Sequence, residues 1–316
     1  MDSVKIKDRR LLRLGIALTV LLIVFKALPY GADIIFNTYA PAVLEHPLYI
    51  WLTSTVPLYA VGLPLCLILL PKKDKNEFET GEFGVSHFFI AAVVCFGLSL
   101  VGSLVGNGLM LIASLIKGEP IVNPINEAIM GSNVFYTFFF TVIVAPIGEE
   151  FICRRLIIDR TRRFGDIPAI LLSAAVFAGL HMNFYQFFYA LLIGVVLAYV
   201  YIRTGKLRYS IFLHMIINLV GGVYVQQLYK IMMELIGDGT EIDFSMMLPT
   251  VIVMMLIYGY IWMLFSSSVI TVILATVFLP KMKFTPGEGV RSILRSPFII
   301  VFFVLCLIFT VVGIII

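Results

Sequence analysis

Long apolar runs fill most of this chain, and they limit its fold more than any other feature of the sequence. Nine runs cover residues 11–30, 47–70, 86–116, 134–158, 168–181, 184–202, 209–235, 246–279 and 297–316. A helix needs about 20 apolar residues to cross the hydrocarbon core of a bilayer. Charged residues make up only 13% of the chain, against about 25% in a typical soluble domain. The sequence therefore predicts an all-α, polytopic transmembrane helical bundle with about 8–9 spans.

Two of the runs have unusual lengths, and each leaves two interpretations open. The run 168–181 is short, so it is either a partial span or a buried helix. The run 246–279 is long, so it is either one tilted helix or two pieces broken near the serines at 266–268.

The distribution of Lys and Arg predicts the orientation of the protein. Every basic residue except Lys26, Lys117 and Lys230 lies near the N-terminus or around alternate connections between the runs. Cytoplasmic loops carry an excess of Lys and Arg. We therefore expect a multi-pass protein of the cell membrane with nine crossings, a cytoplasmic N-terminus and an external C-terminus. The net charge of +4 reflects this topology, and it does not indicate a nucleic-acid partner.

Polar residues that are unusual for their depth are concentrated between positions 149 and 218. We expect one membrane domain with three parts. Residues 1–133 form three peripheral transmembrane helices, residues 134–225 form the catalytic core, and residues 226–316 form the C-terminal transmembrane helices.

The first polar motif contains two adjacent glutamates inside an apolar run. Glu150 and Arg154 are four residues apart with the acid first, which favours a pair on one helix face. Glu149 points about 100° away from Glu150. We therefore expect Glu150 to be neutralised by Arg154 and Glu149 to face a cavity as a general base. The alternative is a cytoplasmic salt-bridge cluster of both acids with Arg154 and Arg155. It is disfavoured because Glu149 lies well before the end of its run.

The second and third motifs place two histidines in apolar runs. Phe177 and His181 share a helix face at a spacing of four, and so do His214 and Asn218. Imidazole and amide donors aimed at one point can stabilise a tetrahedral oxyanion. The alternatives are a capping role for His181 and interhelical hydrogen bonds for His214 and Asn218. All three motifs lie roughly 8–20 Å from the same membrane surface, so they can meet in one cavity.

Three known protease chemistries are disfavoured by the sequence. It contains no His-Glu-x-x-His motif of a zinc peptidase. No aspartate lies deep inside a run, as an aspartyl dyad would require, and no Gly-x-Ser-x-Gly elbow occurs.

These residues resemble the signature of the CPBP family of intramembrane proteases, which includes type II CAAX prenyl endopeptidases and proteins similar to lysostaphin resistance protein A (Abi). The family pattern is Glu-Glu-x-x-x-Arg, Phe-x-x-x-His and His-x-x-x-Asn. The chain reads Glu149-Glu150-Phe-Ile-Cys-Arg154, Phe177-Ala-Gly-Leu-His181 and His214-Met-Ile-Ile-Asn218. The three motifs occur in order and without departure, and the resemblance covers about residues 134–225.

The resemblance implies a site that hydrolyses a peptide bond. Glu149 and His181 would activate the attacking water, and His214 and Asn218 would stabilise the oxyanion. The implied substrate is a membrane-embedded or lipid-anchored peptide or protein, such as a prenylated one, reached from the cytoplasmic side.

The resemblance also implies a supporting set of residues, Glu150, Arg154 and Phe177. It leaves the cofactor open between a divalent metal such as zinc and none, because a glutamate and two histidines could hold zinc with one open position. The proposed metal ligands are Glu149, His181 and His214. No carboxylate that would orient ligating histidines is evident in the sequence, which favours slightly a site without a tightly bound metal.

Two other functions remain possible interpretations of the same residues. A non-enzymatic protein for peptide binding or bacteriocin immunity could use the cavity without cleaving its ligand. A small transporter is disfavoured because the sequence shows neither an internal repeat nor paired half-helices.

Overall fold

The computed structural model describes residues 2–72, 80–124, 126, 128, 131–236 and 247–315. Over these residues the protein is helical and has no β-strand. Eight helices are long and apolar enough to cross a membrane, and one shorter apolar helix lies between the fourth and fifth of them. In chain order the nine are α1 (Arg9–Tyr39), α2 (Tyr49–Leu69), α3 (Val85–Lys117), α4 (Val134–Phe164), α5 (Asp166–Gly179), α6 (Phe184–Thr204), α7 (Leu207–Leu235), α8 (Leu248–Lys281) and α9 (Pro297–Ile315). The predicted polytopic all-α bundle is confirmed.

The short run predicted at 168–181 forms α5, which has 14 residues. At helical rise it is about 21 Å long, less than the roughly 30 Å of the hydrocarbon core. Most of its side chains are buried, which fits a buried helix and also fits a partial span, so both alternatives stay open. The long run at 246–279 forms the single unbroken helix α8. Inside it, the Ser268 hydroxyl donates to the carbonyls of Leu264 and of Gly97 on α3.

The loops that carry most of the basic residues lie at one end of the bundle. Hydrogen bonds tie the start of α1, the segment after α2, the end of α4, the α6–α7 connection and the α8–α9 connection to one another. They are Arg13 Nε to Leu69 O (3.1 Å), Arg160 Nε to Pro71 O (2.7 Å), Gly81 N to Arg203 O (2.7 Å), Arg162 Nη1 to Ile202 O (3.2 Å) and Thr285 N to Asp166 Oδ2 (2.9 Å). We call this end of the molecule the basic end.

The helices before and after α4–α7 pack directly on them. Gly102 and Gly106 of α3 lie against the backbone of α6, where a Cβ atom at either position would overlap it. Leu18 of α1 and Phe302 of α9 belong to the same apolar core as Ile157 of α4. The division of the chain near residues 133 and 225 therefore stays a prediction about function.

Four stretches of π-helix interrupt the α-helical spans, and they lie on α2, α4 and α7. They cover Val56–Gly62, Phe138–Val144, Phe151–Ile158 and Asn218–Tyr224. Such stretches are frequent at functional sites. The two in α4 flank the short α-helical turn Ala145–Glu150, which carries both motif glutamates.

Candidate active site

A saturated ion pair forms the buried side of the site. Glu150 and Arg154 are both 0% exposed. Arg154 Nε donates to Glu150 Oε2 at 2.9 Å, and its Nη2 donates to Oε1 at 3.1 Å. The pair is thus bidentate, which is the strongest geometry for these groups. The i, i+4 spacing predicted this pair, and the structure forms it.

Ser173 of α5 accepts a third hydrogen bond from the guanidinium. Arg154 Nη1 donates to Ser173 Oγ at 2.7 Å, and that hydroxyl donates to Cys153 O at 2.7 Å. Buried charges are costly unless they are both paired and hydrogen-bonded. Arg154 meets both conditions, so it holds α5 firmly against α4.

Phe177 is the neighbour that the charged pair and both histidines share. The Arg154 guanidinium carbon lies 5.1 Å from the centroid of the Phe177 ring. The rings of His181 and His214 meet the same ring edge-to-face, with centroid distances of 5.0 and 5.3 Å. We call Glu150, Arg154, Ser173 and Phe177 the support cluster.

His214 lies between the two glutamates. Its Nδ1 is 3.1 Å from Glu150 Oε1, and its Nε2 is 3.7 Å from Glu149 Oε2. An ionised carboxylate paired with arginine can only accept a hydrogen bond, so Nδ1 carries a proton and donates it to Glu150. The expectation that no carboxylate orients a histidine is therefore wrong. Glu150 does so for His214, across a contact that no sequence spacing reveals.

Glu149 is held much more loosely than its neighbour. Its side chain is 20% exposed, and the 3.7 Å approach to His214 is too long for a hydrogen bond. Among the described residues, this carboxylate forms no hydrogen bond shorter than 3.5 Å and no other ion pair. The Glu149 carboxylate is therefore free to bind a water or a substrate group.

His181 directly follows the last turn of α5. Its Nδ1 lies 2.8 Å from Phe177 O. Because a carbonyl oxygen only accepts, Nδ1 is the protonated nitrogen and the lone pair lies on Nε2. Nδ1 thus makes the capping hydrogen bond that was the alternative role of His181, while Nε2 remains available as a base or a ligand. The side chain is partly exposed, as a reacting group requires.

Asn218 is held by a carbonyl that the irregular helix α4 leaves free. The Ala145 N–H bonds to Phe140 O, and Pro146 has no N–H. Neither helical donor therefore reaches Thr141 O, and Asn218 Nδ2 donates to that oxygen at 2.8 Å. One amide hydrogen of Asn218 is used in this way, and the second remains for another acceptor.

The proposed metal ligands have donor atoms of the types that zinc prefers. Among the described residues, however, no group of three or more His, Cys, Asp or Glu side chains is arranged to hold a metal ion. Glu149, His181 and His214 therefore stay a proposed ligand set, and no step of the mechanism below uses a metal.

Sequence reasoning missed Ser173, although a signal for it exists. Ser173, Phe177 and His181 follow one another at intervals of four on α5, so they share one face of that helix. A buried hydroxyl on the face that carries the motif histidine indicates a partner inside the bundle. The partner itself, Arg154, could not be identified without the packing of α4 on α5.

One of three comparisons with known proteins finds a match, and it covers the segment that carries the motifs. A protein-family model described as type II CAAX prenyl endopeptidase Rce1-like matches residues 131–220. No curated protein and no solved structure matches the chain significantly. The matched segment contains all three motifs and the whole support cluster. Residues 131–220 are thus similar to type II CAAX prenyl endopeptidases, which confirms the resemblance of this chain to the CPBP family of intramembrane proteases.

Proposed function

We propose that this protein is an intramembrane endopeptidase of the CPBP type, in which Glu149 activates the attacking water. The observation that carries the proposal is the contrast between two adjacent carboxylates. Glu150 has its bonds filled by Arg154 and His214, whereas Glu149 is partly exposed beside His214 Nε2. An ionisable group left free inside a membrane span is a functional candidate by default.

The first step is the attack of water on the substrate carbonyl. Glu149 and the Nε2 atom of His181 polarise the water, and Glu149 accepts its proton as the oxygen bonds to the carbonyl carbon. The carbonyl then becomes a tetrahedral oxyanion. Protonated Glu149 delivers the proton to the departing amine, so that protons balance over the cycle.

The oxyanion needs hydrogen-bond donors that are already in place. Asn218 supplies the amide hydrogen that Thr141 does not use. His214 can donate through Nε2 only as an imidazolium, because its Nδ1–H is bound to Glu150. Glu149 is protonated at this stage, so the oxyanion itself and the Glu150 carboxylate, which accepts from Nδ1, balance that charge.

We propose a substrate that is embedded in the membrane or anchored to it by a lipid, such as a prenylated peptide, reached from the cytoplasm. The similarity to CAAX prenyl endopeptidases supports this choice. Over the described residues, eight helices are long and apolar enough to cross a membrane, and the connections richest in Lys and Arg lie together at the basic end. We place that end, with the N-terminus, on the cytoplasmic side of the cell membrane.

The test is cleavage by the purified protein in liposomes, with a farnesylated CAAX peptide and a panel of short membrane peptides. We expect cleavage by the wild type and its loss in Glu149→Gln. Glu119→Gln is the matched control, because Glu119 forms a surface ion pair with Lys117 and its side chain is 64% exposed. Parallel reactions with a chelator decide whether a metal takes part.

Full activity of Glu149→Gln would overturn the proposed mechanism. If the wild type cleaves no peptide and both proteins bind the same peptide equally, the non-enzymatic function of peptide binding or immunity replaces the protease.

A further inference from the structure

We propose that Tyr59, on helix α2, is a positioning residue for Glu149. Tyr59 lies outside residues 131–220, which match the family model. The proposal deepens the function proposed above and rests on it, since it names the residue that fixes the backbone beneath the catalytic carboxylate.

The contact is made through Gly148, which directly precedes Glu149. A Cβ atom built on Gly148 would overlap the Tyr59 ring, with Cε1, Cζ and Cδ1 as the nearest atoms. The edge of the ring therefore abuts the Gly148 Cα. The Tyr59 hydroxyl also donates to Ala145 O at 3.4 Å. In an α-helix this carbonyl accepts the N–H of Glu149, so Tyr59 touches both ends of the turn that carries the base.

This turn needs a partner from outside its own helix. The α-helical segment Ala145–Glu150 has only six residues and lies between two π-helical stretches, so its continuity with the rest of α4 is weak. Glu149 has no short hydrogen bond to fix its own side chain. The direction of its carboxylate therefore depends on where neighbouring helices hold the backbone.

Tyr59 is itself well anchored. It belongs to the π-helical stretch Val56–Gly62, in which Pro57 and Leu58 are buried. Gly62 in the same stretch lies against the Leu21 side chain of α1. The Tyr59 side chain also packs against the main apolar core of the bundle. A fixed ring against a glycine is a contact that defines one position of the turn.

The first experiment compares the kinetics of Tyr59→Ala, Tyr59→Phe and Gly148→Ala. We expect Tyr59→Ala to lower kcat by about 10-fold with KM changed less than about twofold, because a misplaced base affects chemistry more than binding. Tyr59→Phe keeps the ring and retains most of kcat. Gly148→Ala lowers kcat because its methyl group displaces the ring. The kcat of the double variant Tyr59→Ala/Gly148→Ala should be no lower than that of Tyr59→Ala, because the added methyl group then has no ring to clash with.

Tyr49→Ala is the matched control. Tyr49 lies on the same helix, and its hydroxyl donates to Asp33 at 2.6 Å, ten residues before Tyr59 in the chain. We expect this variant to keep the wild-type kcat.

A second measurement does not depend on proteolysis. Hydrogen exchange of the backbone amides of residues 145–150 in liposomes is expected to become faster in Tyr59→Ala and to stay unchanged in Tyr49→Ala. Unchanged exchange in Tyr59→Ala would overturn the proposal even where Glu149-dependent cleavage is found. Faster exchange with an unchanged kcat would reduce Tyr59 to a packing residue and would also overturn it. If exchange is faster in Tyr59→Ala but the wild type cleaves no peptide, Tyr59 does hold the Gly148 turn, and the proposed protease function is rejected.

Discussion

Glu149 and Glu150 are neighbours in one helical turn, yet the structure treats them in opposite ways. The Glu150 carboxylate is fully buried and accepts three hydrogen bonds, two from Arg154 and one from His214. Glu149 is partly exposed, and its carboxylate lies 3.7 Å from His214 Nε2. The difference arises from the 100° step between consecutive helical residues, which turns Glu150 toward Arg154 and His214 and leaves Glu149 partly exposed.

The comparison extends to the groups around each glutamate. The polar atoms of the support cluster bond to one another, to Cys153 O and to His214, so the cluster joins α4 to α5 and, through His214, to α7. The open face, which consists of Glu149, His181 and Asn218, keeps unused polar atoms. A hydrogen bond made within the protein strengthens the fold but removes that atom from chemistry. We therefore propose that the support cluster gives rigidity and that the open face carries the reaction.

The largest expected effect comes from breaking the support cluster. Arg154→Ala leaves the buried Glu150 carboxylate without its partner, and we expect the free energy of unfolding to fall by about 3–5 kcal/mol. The matched control is Arg155→Ala. Its side chain is 47% exposed and pairs with Asp159 at 3.6 Å, so the expected loss is below about 1 kcal/mol. Denaturant unfolding in detergent micelles measures both. Equal losses of unfolding free energy in the two variants would show that the burial of Arg154 does not make its ion pair more stabilising than that of Arg155.

The next effect tests the open face. His181→Asn removes the free Nε2 atom, and we expect kcat to fall by at least about 100-fold, in the range for a general base. Its stability changes little because the side chain is partly exposed. His87→Asn, an exposed histidine at the start of α3, is the control and keeps the wild-type kcat. Cleavage kinetics and thermal unfolding of both variants test this prediction. A large loss of stability in His181→Asn would show that His181 supports the fold, as the support cluster does, and would contradict its assignment to the open face.

The smallest effect concerns the link between Pro146 and Asn218. Pro146→Ala restores an N–H that competes for Thr141 O, so we expect the position of Asn218 to loosen and kcat to fall by about 3–10-fold. Pro29→Ala, which restores an N–H inside α1, leaves kcat unchanged.

The link can be isolated by a double variant. In an Asn218→Ala background, Pro146→Ala should have no further effect on kcat. An equal additional loss in that background would show that Pro146 acts on the shape of α4 and not through Asn218.

The features that sequence predicted are those encoded by local spacing. The Glu150–Arg154 pair and the shared face of Phe177 and His181 follow from residues four apart on one helix. The nine apolar runs likewise became nine helices, because hydrocarbon requires each segment to satisfy its own backbone.

The features that sequence missed depend on how the helices meet. His214 is 64 residues from Glu150, Asn218 is 77 residues from Thr141, and Tyr59 reaches Gly148 from a different helix. The periodicity of one helix tells which residues share a face, but not which neighbour that face contacts. The π-helical stretches, which re-aim Asn218 and the Glu149 turn, have no simple sequence signal either.

The most direct test of the central claim measures cleavage and stability together in Glu149→Gln and Glu150→Gln. These variants make the same chemical change at adjacent positions. We expect Glu149→Gln to lose at least about 100-fold in kcat, with a free energy of unfolding within about 1 kcal/mol of the wild type. Glu150→Gln should instead lose about 3–5 kcal/mol of stability, because Arg154 is left as an uncompensated buried charge. A Glu149→Gln protein that cleaves at the wild-type rate, or a Glu150→Gln protein of unchanged stability, would contradict it.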